Sequence, residues 1–190
     1  ILSGGYGRNE GGVIHKEDST MPHNNLDFNI ITNVMGHKQK NDYRVKILTL
    51  LKKIKQQNNI IIDFAIIESY KIKLSPCRLM YYDLKNGHRL VWGDNKWLLG
   101  LKKFNRDKIP SYDIRELILN RGALLVLNKL ILNKKDELTT YDKKTIIKHA
   151  VKAIIGFGDA LLYAKGKYHW SYLQKQLEMK HITCSIKNFP

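Results

Sequence analysis

Apolar positions follow two regimes along the chain, and the change falls near residue 110. Before it, short apolar runs stand between polar turns, which predicts strands mixed with helices. Ile1-Leu2 runs into the pair Gly4-Gly5, and a later segment sets Leu26, Phe28, Ile30 and Ile31 around a single carboxylate, Asp27. Residues 60–67 form an almost wholly apolar run, Asp63 excepted. Such a run predicts a central strand buried on both faces. Between these segments Ile47, Leu50, Leu51 and Ile54 recur at helical spacing, with lysines on the other face and Asp42 as N-cap. That pattern predicts an amphipathic helix packed on a sheet. Residues 13–23 are polar and read as a protruding loop or hairpin tip, with His15 and His23 at the surface. Residues 79–84 fit a helical turn or a strand. Residues 89–94 predict a short strand ending in a turn, with Trp92 and Trp97 as core aromatics.

From Ser111 onward the period is helical. Asp113 with Glu116 resembles a capping box. Ile114, Leu117, Ile118, Leu124, Leu125, Leu127, Leu130 and Ile131 give an apolar face, which Asn120-Arg121-Gly122 interrupts. The expectation is that Gly122 permits close helix packing and that Arg121 is structural. Residues 134–140 read as a polar connection. A second long helix, capped by Thr140 or Asp142, carries Ile146, Ala150, Ile154 and Leu161 on its buried side, with a kink or break at Gly156-Phe157-Gly158 and an end at Gly166. A third helix spans about 168–179.

Chemistry concentrates at the start of the chain. Gly4 and Gly5 let the backbone take positive φ and approach a ligand closely, and converging N–H groups in such a turn bind anions. Arg8 follows and can add a cationic fork to a phosphate. Next to a polyphosphate, the task for Asp27 is to hold Mg²⁺. Asp63 within an apolar strand needs a partner cation, because an unpaired buried carboxylate costs several kcal/mol. The alternative for Asp63 is a strand-end carboxylate bonded to backbone. Glu68, just after the run, is a second candidate.

Gly4-Gly5-Tyr6-Gly7-Arg8-Asn9-Glu10-Gly11, followed by Asn24-Asn25-Leu26-Asp27, resembles the two motifs of the DNA polymerase β-like nucleotidyltransferase superfamily, in the form found in its minimal and antibiotic-type members. The likeness spans residues 1–70 and weakens afterwards. It implies an α+β fold with a nucleotidyltransferase-type mixed β-sheet and flanking helices, followed by an α-helical lobe, with the site where the lobes face each other. It implies that position 25 and Asp27 bind two catalytic metals, Mg²⁺ or Mn²⁺, that Asp63 is the third acid and base, and that Gly4, Gly5 and Arg8 hold an NTP. The family has Asp where this chain has Asn25. An amide offers one neutral oxygen, so Mg²⁺ binding is expected to weaken. Three accounts stay open: a substitution made to trap a complex, a natural loss of activity, or a tolerated change.

The boundary is expected at 109/110, giving a catalytic domain at 1–109 and a helical domain at 110–190. The basic cluster Lys102, Lys103, Arg106 and Lys108 lies just before it. Because the first residue is Ile1, inside a motif, an upstream segment is expected to be missing. A net charge of +16 favours anionic partners, nucleotides or RNA, although a lysine-rich solvated surface accounts for it equally. Cys77 and Cys184 are far apart, and no run has the length of a membrane span, so a cytoplasmic protein is expected. The reading is therefore a nucleotidyltransferase acting on an unspecified acceptor. The alternatives are an inactive nucleotide- or RNA-binding module, or an antitoxin-like partner protein acting through its helical lobe.

Overall fold

The computed structural model describes residues 1–16, 19–33, 36–134 and 137–182. Residues 17–18 of the expected hairpin tip, residues 135–136 of the polar connection, Cys184 and the tail to Pro190 lie outside the described residues. The chain is α+β and divides into two compact units, Ile1–Lys108 and Ile109–Pro190.

In the first unit, strand β1 (Leu2–Ser3) leads into a one-turn helix α1 (Gly4–Gly7). Strands β2 (Val13–Lys16) and β3 (Ser19–Pro22) form an antiparallel hairpin, where residues 13–23 were expected to protrude. Strand β4 (Leu26–Thr32) is the centre of a mixed three-stranded sheet of order β1-β4-β5, antiparallel to β1 and parallel to β5 (Ile62–Glu68). A parallel pair needs a crossover connection. Helix α2 (His37–Asn58) supplies it and is tied to the end of β5 by Lys40–Glu68 at 3.3 Å.

Here the expected central strand is corrected. β5 pairs only with β4 among the described residues, and its exposure alternates, with Asp63 and Ala65 exposed. A uniformly apolar run does not say whether both faces are covered, and this one is covered on the α2 side. The start of α2 is also corrected: it begins at His37, after Gly36, and contains Asp42 in its second turn. His37-Lys38-Gln39-Lys40 are adequate helix formers, so nothing stops the helix from extending backwards. It ends at Asn59 in the left-handed region, φ 53°.

The unit's core lies under α3 (Ser69–Leu74), α4 (Leu79–Asn86) and α5 (Lys96–Leu99), where Ile72, Tyr82, Leu84, Leu98 and Phe104 are buried. Residues 79–84 are thus helical. Residues 89–94 form no strand; Arg89 makes a single antiparallel bridge to Leu2. Trp92 is 90% exposed and is no core residue, while Trp97 is half-buried. Lys103 caps the carbonyls of Lys73 and Ser75, so one member of the basic cluster is a structural tie.

The second unit is an antiparallel pair, α6 (Ser111–Lys134) and α7 (Thr140–Ala164), with α8 (Tyr172–Lys180) packed on α7. Neither long helix is broken at its glycines. Gly122 has open space where a side chain would stand; the glycine that permits close approach is Gly156, whose missing Cβ leaves room for Arg121. Thr139 is the N-cap of α7, in a reciprocal capping box with Asp142. No helix among the described residues is long and apolar enough to cross a membrane.

Candidate active site

Three side chains converge at the start of the parallel pair. Asp27 and Asp63 are register partners on β4 and β5, so both carboxylates project from one face of the sheet. Asn25 sits two residues before Asp27, just before β4 begins. Its amide nitrogen donates to Asp27 Oδ1 at 3.0 Å and to Asp63 Oδ2 at 2.6 Å. A neutral amide donor therefore bridges the two acids. Asp63 is exposed, not a buried carboxylate; the partner it finds is this amide.

The glycine turn abuts this group. Gly4 has φ +65°, and a Cβ built there would stand 2.5 Å from Asp27 Oδ2. A side chain at position 4 would be both strained and in collision with the acid. The preceding residue, Ser3, is the register partner of Asp27. Its hydroxyl donates to the Asp27 carbonyl at 3.1 Å and accepts from Asn29 Nδ2 at 2.8 Å. Ser3 is also the N-cap of α1, yet it makes no capping bond to the first turn. The N–H groups at Gly4 and Gly5 thus receive no oxygen from that side chain.

Gly5 O accepts from Glu10 N at 2.8 Å, which curls the motif back on itself. Arg8 pairs with Glu10 at 3.4 Å, and its side chain is 9% exposed. Tyr6 was given no role by sequence reasoning, and the structure makes it the clamp of the turn. Its ring covers Gly11, its hydroxyl donates to Gly12 O at 2.6 Å, and it accepts from Asn24 N at 3.2 Å. That holds the approach to Asn25 against α1. An aromatic inside a glycine cluster was the available signal.

Glu68 does not join the acids. It is buried on the α2 side of β5, with Lys71 at 2.9 Å and Lys40 at 3.3 Å. The hydrogen bond from Lys71 holds its carboxyl below the usual range, against the opposing effect of burial. His15 is exposed and within 3.1 Å of Thr20 Oγ1, and His23 is exposed. A cavity of about 410 Å³ lies between α2 and β5, lined by His37, Lys40, Arg44, Phe64 and Ile66; it does not include the acids. Strand alternation puts Asp63 on the other face of the sheet from Phe64 and Ile66.

Compared with known family models, curated proteins and solved structures, the chain matches none.

Proposed function

We propose that the first unit carries a nucleotidyltransferase site, binding a nucleoside triphosphate with Mg²⁺ or Mn²⁺ and transferring the nucleoside monophosphate to an acceptor hydroxyl or phosphate. One observation carries this reading: two carboxylates in register on parallel strands, joined by Asn25 and backed by a glycine that admits no side chain.

The residues fit a hard divalent cation, since Asp27, Asp63 and the Asn25 amide all offer oxygen. Asn25 must rotate its amide to do so, because its nitrogen now faces both acids. When bound, such a cation neutralises the triphosphate and acidifies the attacking hydroxyl. The chain's own groups do the rest. Gly4 and Gly5 offer backbone N–H groups to phosphate oxygens. Asp63, exposed at the sheet surface, is available to accept the proton of the acceptor. Arg8 reaches a phosphate only by giving up Glu10; otherwise the pair stiffens the turn. The charge of +16 favours a polyanionic acceptor such as RNA over a neutral one.

The same amide supports a second reading. With Asn25 donating to both acids, the two carboxylates are satisfied by a neutral group, which favours a module that binds nucleotide or RNA without turnover. Pyrophosphate release, measured for the chain and for Asn25→Asp with each NTP, Mg²⁺ and a set of acceptors, separates the two. The transferase reading expects Asn25→Asp to raise the rate by about a hundredfold, the equivalent of roughly 3 kcal/mol. Tight NTP binding by an equally inert Asn25→Asp assigns the binding module. Absence of NTP binding by both forms overturns the transferase reading, and absence of RNA binding as well overturns both.

A further inference from the structure

Helix α2 turns one stripe toward the sheet, and that stripe changes character along its length. Its later half presents Ile47, Leu51 and Ile54, the apolar residues of the helix that are half-buried. Its earlier half presents His37, Lys40, Asn41 and Arg44, which share a face at intervals of three and four. Opposite them stand Phe64 and Ile66, on the sheet face that also bears Glu68. Polar side chains do not close on such a floor as leucines would. A cavity of about 410 Å³ is left between the helix and the strand. Its wall carries surplus positive charge. Lys40 reaches Glu68 at 3.3 Å, but Lys71 engages the same carboxylate at 2.9 Å, so one acid is set against two ammoniums. Among the described residues, the side chains of His37, Asn41 and Arg44 have no hydrogen-bond or ion-pair partner, and no carboxylate lines the cavity.

We propose that this cavity is a second ligand site, for a phosphate monoester with an aromatic body, the size of a nucleoside monophosphate. Three features select that chemistry. The first is charge: the Arg44 guanidinium forks onto two oxygens of one anion, and a phosphate monoester brings the negative charge that Arg44 and the surplus ammonium lack. The second is the floor. Phe64 and Ile66 offer apolar surface to a ring, which inorganic phosphate would leave uncovered, while a neutral ring would leave the cations unused. Asn41, on the wall between, can both donate to and accept from polar atoms of that body. The third is size. The volume lies near the lower end of the roughly 300–1,000 Å³ of small-molecule sites, which admits one nucleotide. The site lies on the other face of the sheet from Asp27 and Asp63. It therefore needs no divalent cation and does not rest on the transferase reading.

Calorimetric titration of the whole chain in EDTA tests this, with AMP, UMP and phenyl phosphate as probes and inorganic phosphate and adenosine as controls. The expected result is a Kd below about 1 mM for at least one monoester, about 10-fold or more tighter than for either control. Arg44→Ala, at an exposed site, should weaken that binding by about 10-fold or more, the scale of a lost charge-assisted hydrogen bond, with unchanged helical circular dichroism. Lys53→Ala removes an equal charge from the far side of α2 and should change nothing. Asp27→Asn with Asp63→Asn should also leave the affinity as it was. Failure of all three monoesters to bind overturns the proposal, as does binding no tighter than that of inorganic phosphate or adenosine. So does a loss on Lys53→Ala as large as that on Arg44→Ala, which would make the attraction diffuse. Binding indifferent to Arg44→Ala, or abolished by the paired Asp→Asn changes, places the monoester elsewhere and overturns it too.

Discussion

The two units place their polar groups in opposite ways. In the first, Asp27, Asp63 and Asn25 meet at the accessible start of a parallel strand pair, while the core lies elsewhere, under α3 to α5. In the second, Asn128, Asp142 and Lys175 are buried, and isoleucines and leucines line the outside. A buried polar group whose bonds are made inside the unit is a structural tie. A pair of acids bridged by a rotatable amide at the surface is accessible to a ligand. Polarity by itself therefore does not single out the candidate site; accessibility of the cluster does.

Changes to either unit can sharpen or break that contrast. The largest stability effect is expected in the second unit. Lys175 is 6% exposed, pairs with Asp159 and lies 4.3 Å from the centre of the Tyr168 ring. Asp159→Ala leaves that ammonium without its carboxylate and should cost about 3 kcal/mol in urea unfolding of the helical unit. Replacing both members, Lys175→Met with Asp159→Leu, should recover most of the loss; if it does not, the pair does more than hold the helices.

Gly4→Ala comes next. It forces a Cβ into the left-handed region and onto the Asp27 carboxylate, so a loss of about 2 kcal/mol is expected together with weakened cation binding. Calorimetric titration with Mn²⁺ alone reads the second part without any activity assay. An unchanged Mn²⁺ affinity would separate the glycine turn from the acids.

Asn25→Ala removes the bridge and leaves two carboxylates facing each other across the strands. Because Asp63 is exposed, the cost is modest, about 1 kcal/mol, and Mg²⁺ should recover part of it. Thermal melts with and without Mg²⁺ check this, and a variant that gains nothing from Mg²⁺ would speak against a cation site.

The smallest effect concerns pH. The hydrogen bond from Lys71, with that from Lys40, holds the Glu68 pKa below its ordinary value. A lowered carboxylate pKa stabilises the fold above the unfolded pKa, and that contribution is lost as pH falls through the folded one. Glu68→Gln should therefore be less stable than the parent chain at pH 7, with the gap closing below about pH 4. Paired urea curves at both pH values read the difference.

Much of the geometry of the candidate site was legible along the chain. The order glycine turn, Asp27, then Asp63 follows from local chemistry: positive φ at Gly4 and strand alternation around each acid are properties of a few neighbouring residues. Position 25 was flagged because an amide stood where a carboxylate was expected. The start of helix α7 was nearly legible, the cap falling at Thr139, one residue before Thr140, with Asp142 as its reciprocal partner and not the cap.

What tertiary structure alone decided is which surfaces are covered. Residues 60–67 carry the composition of a central strand, yet β5 stands at the sheet edge, because a run of apolar side chains does not record what packs on it. Trp92 is an aromatic of core type left almost wholly exposed, and Gly122 and Gly156 look alike in sequence although only Gly156 meets a neighbour. Backbone conformation is set by near neighbours and is written locally. Burial is set by residues far away in the chain, and the bridge from Asn25 to Asp63 crosses 38 positions that no local pattern could join.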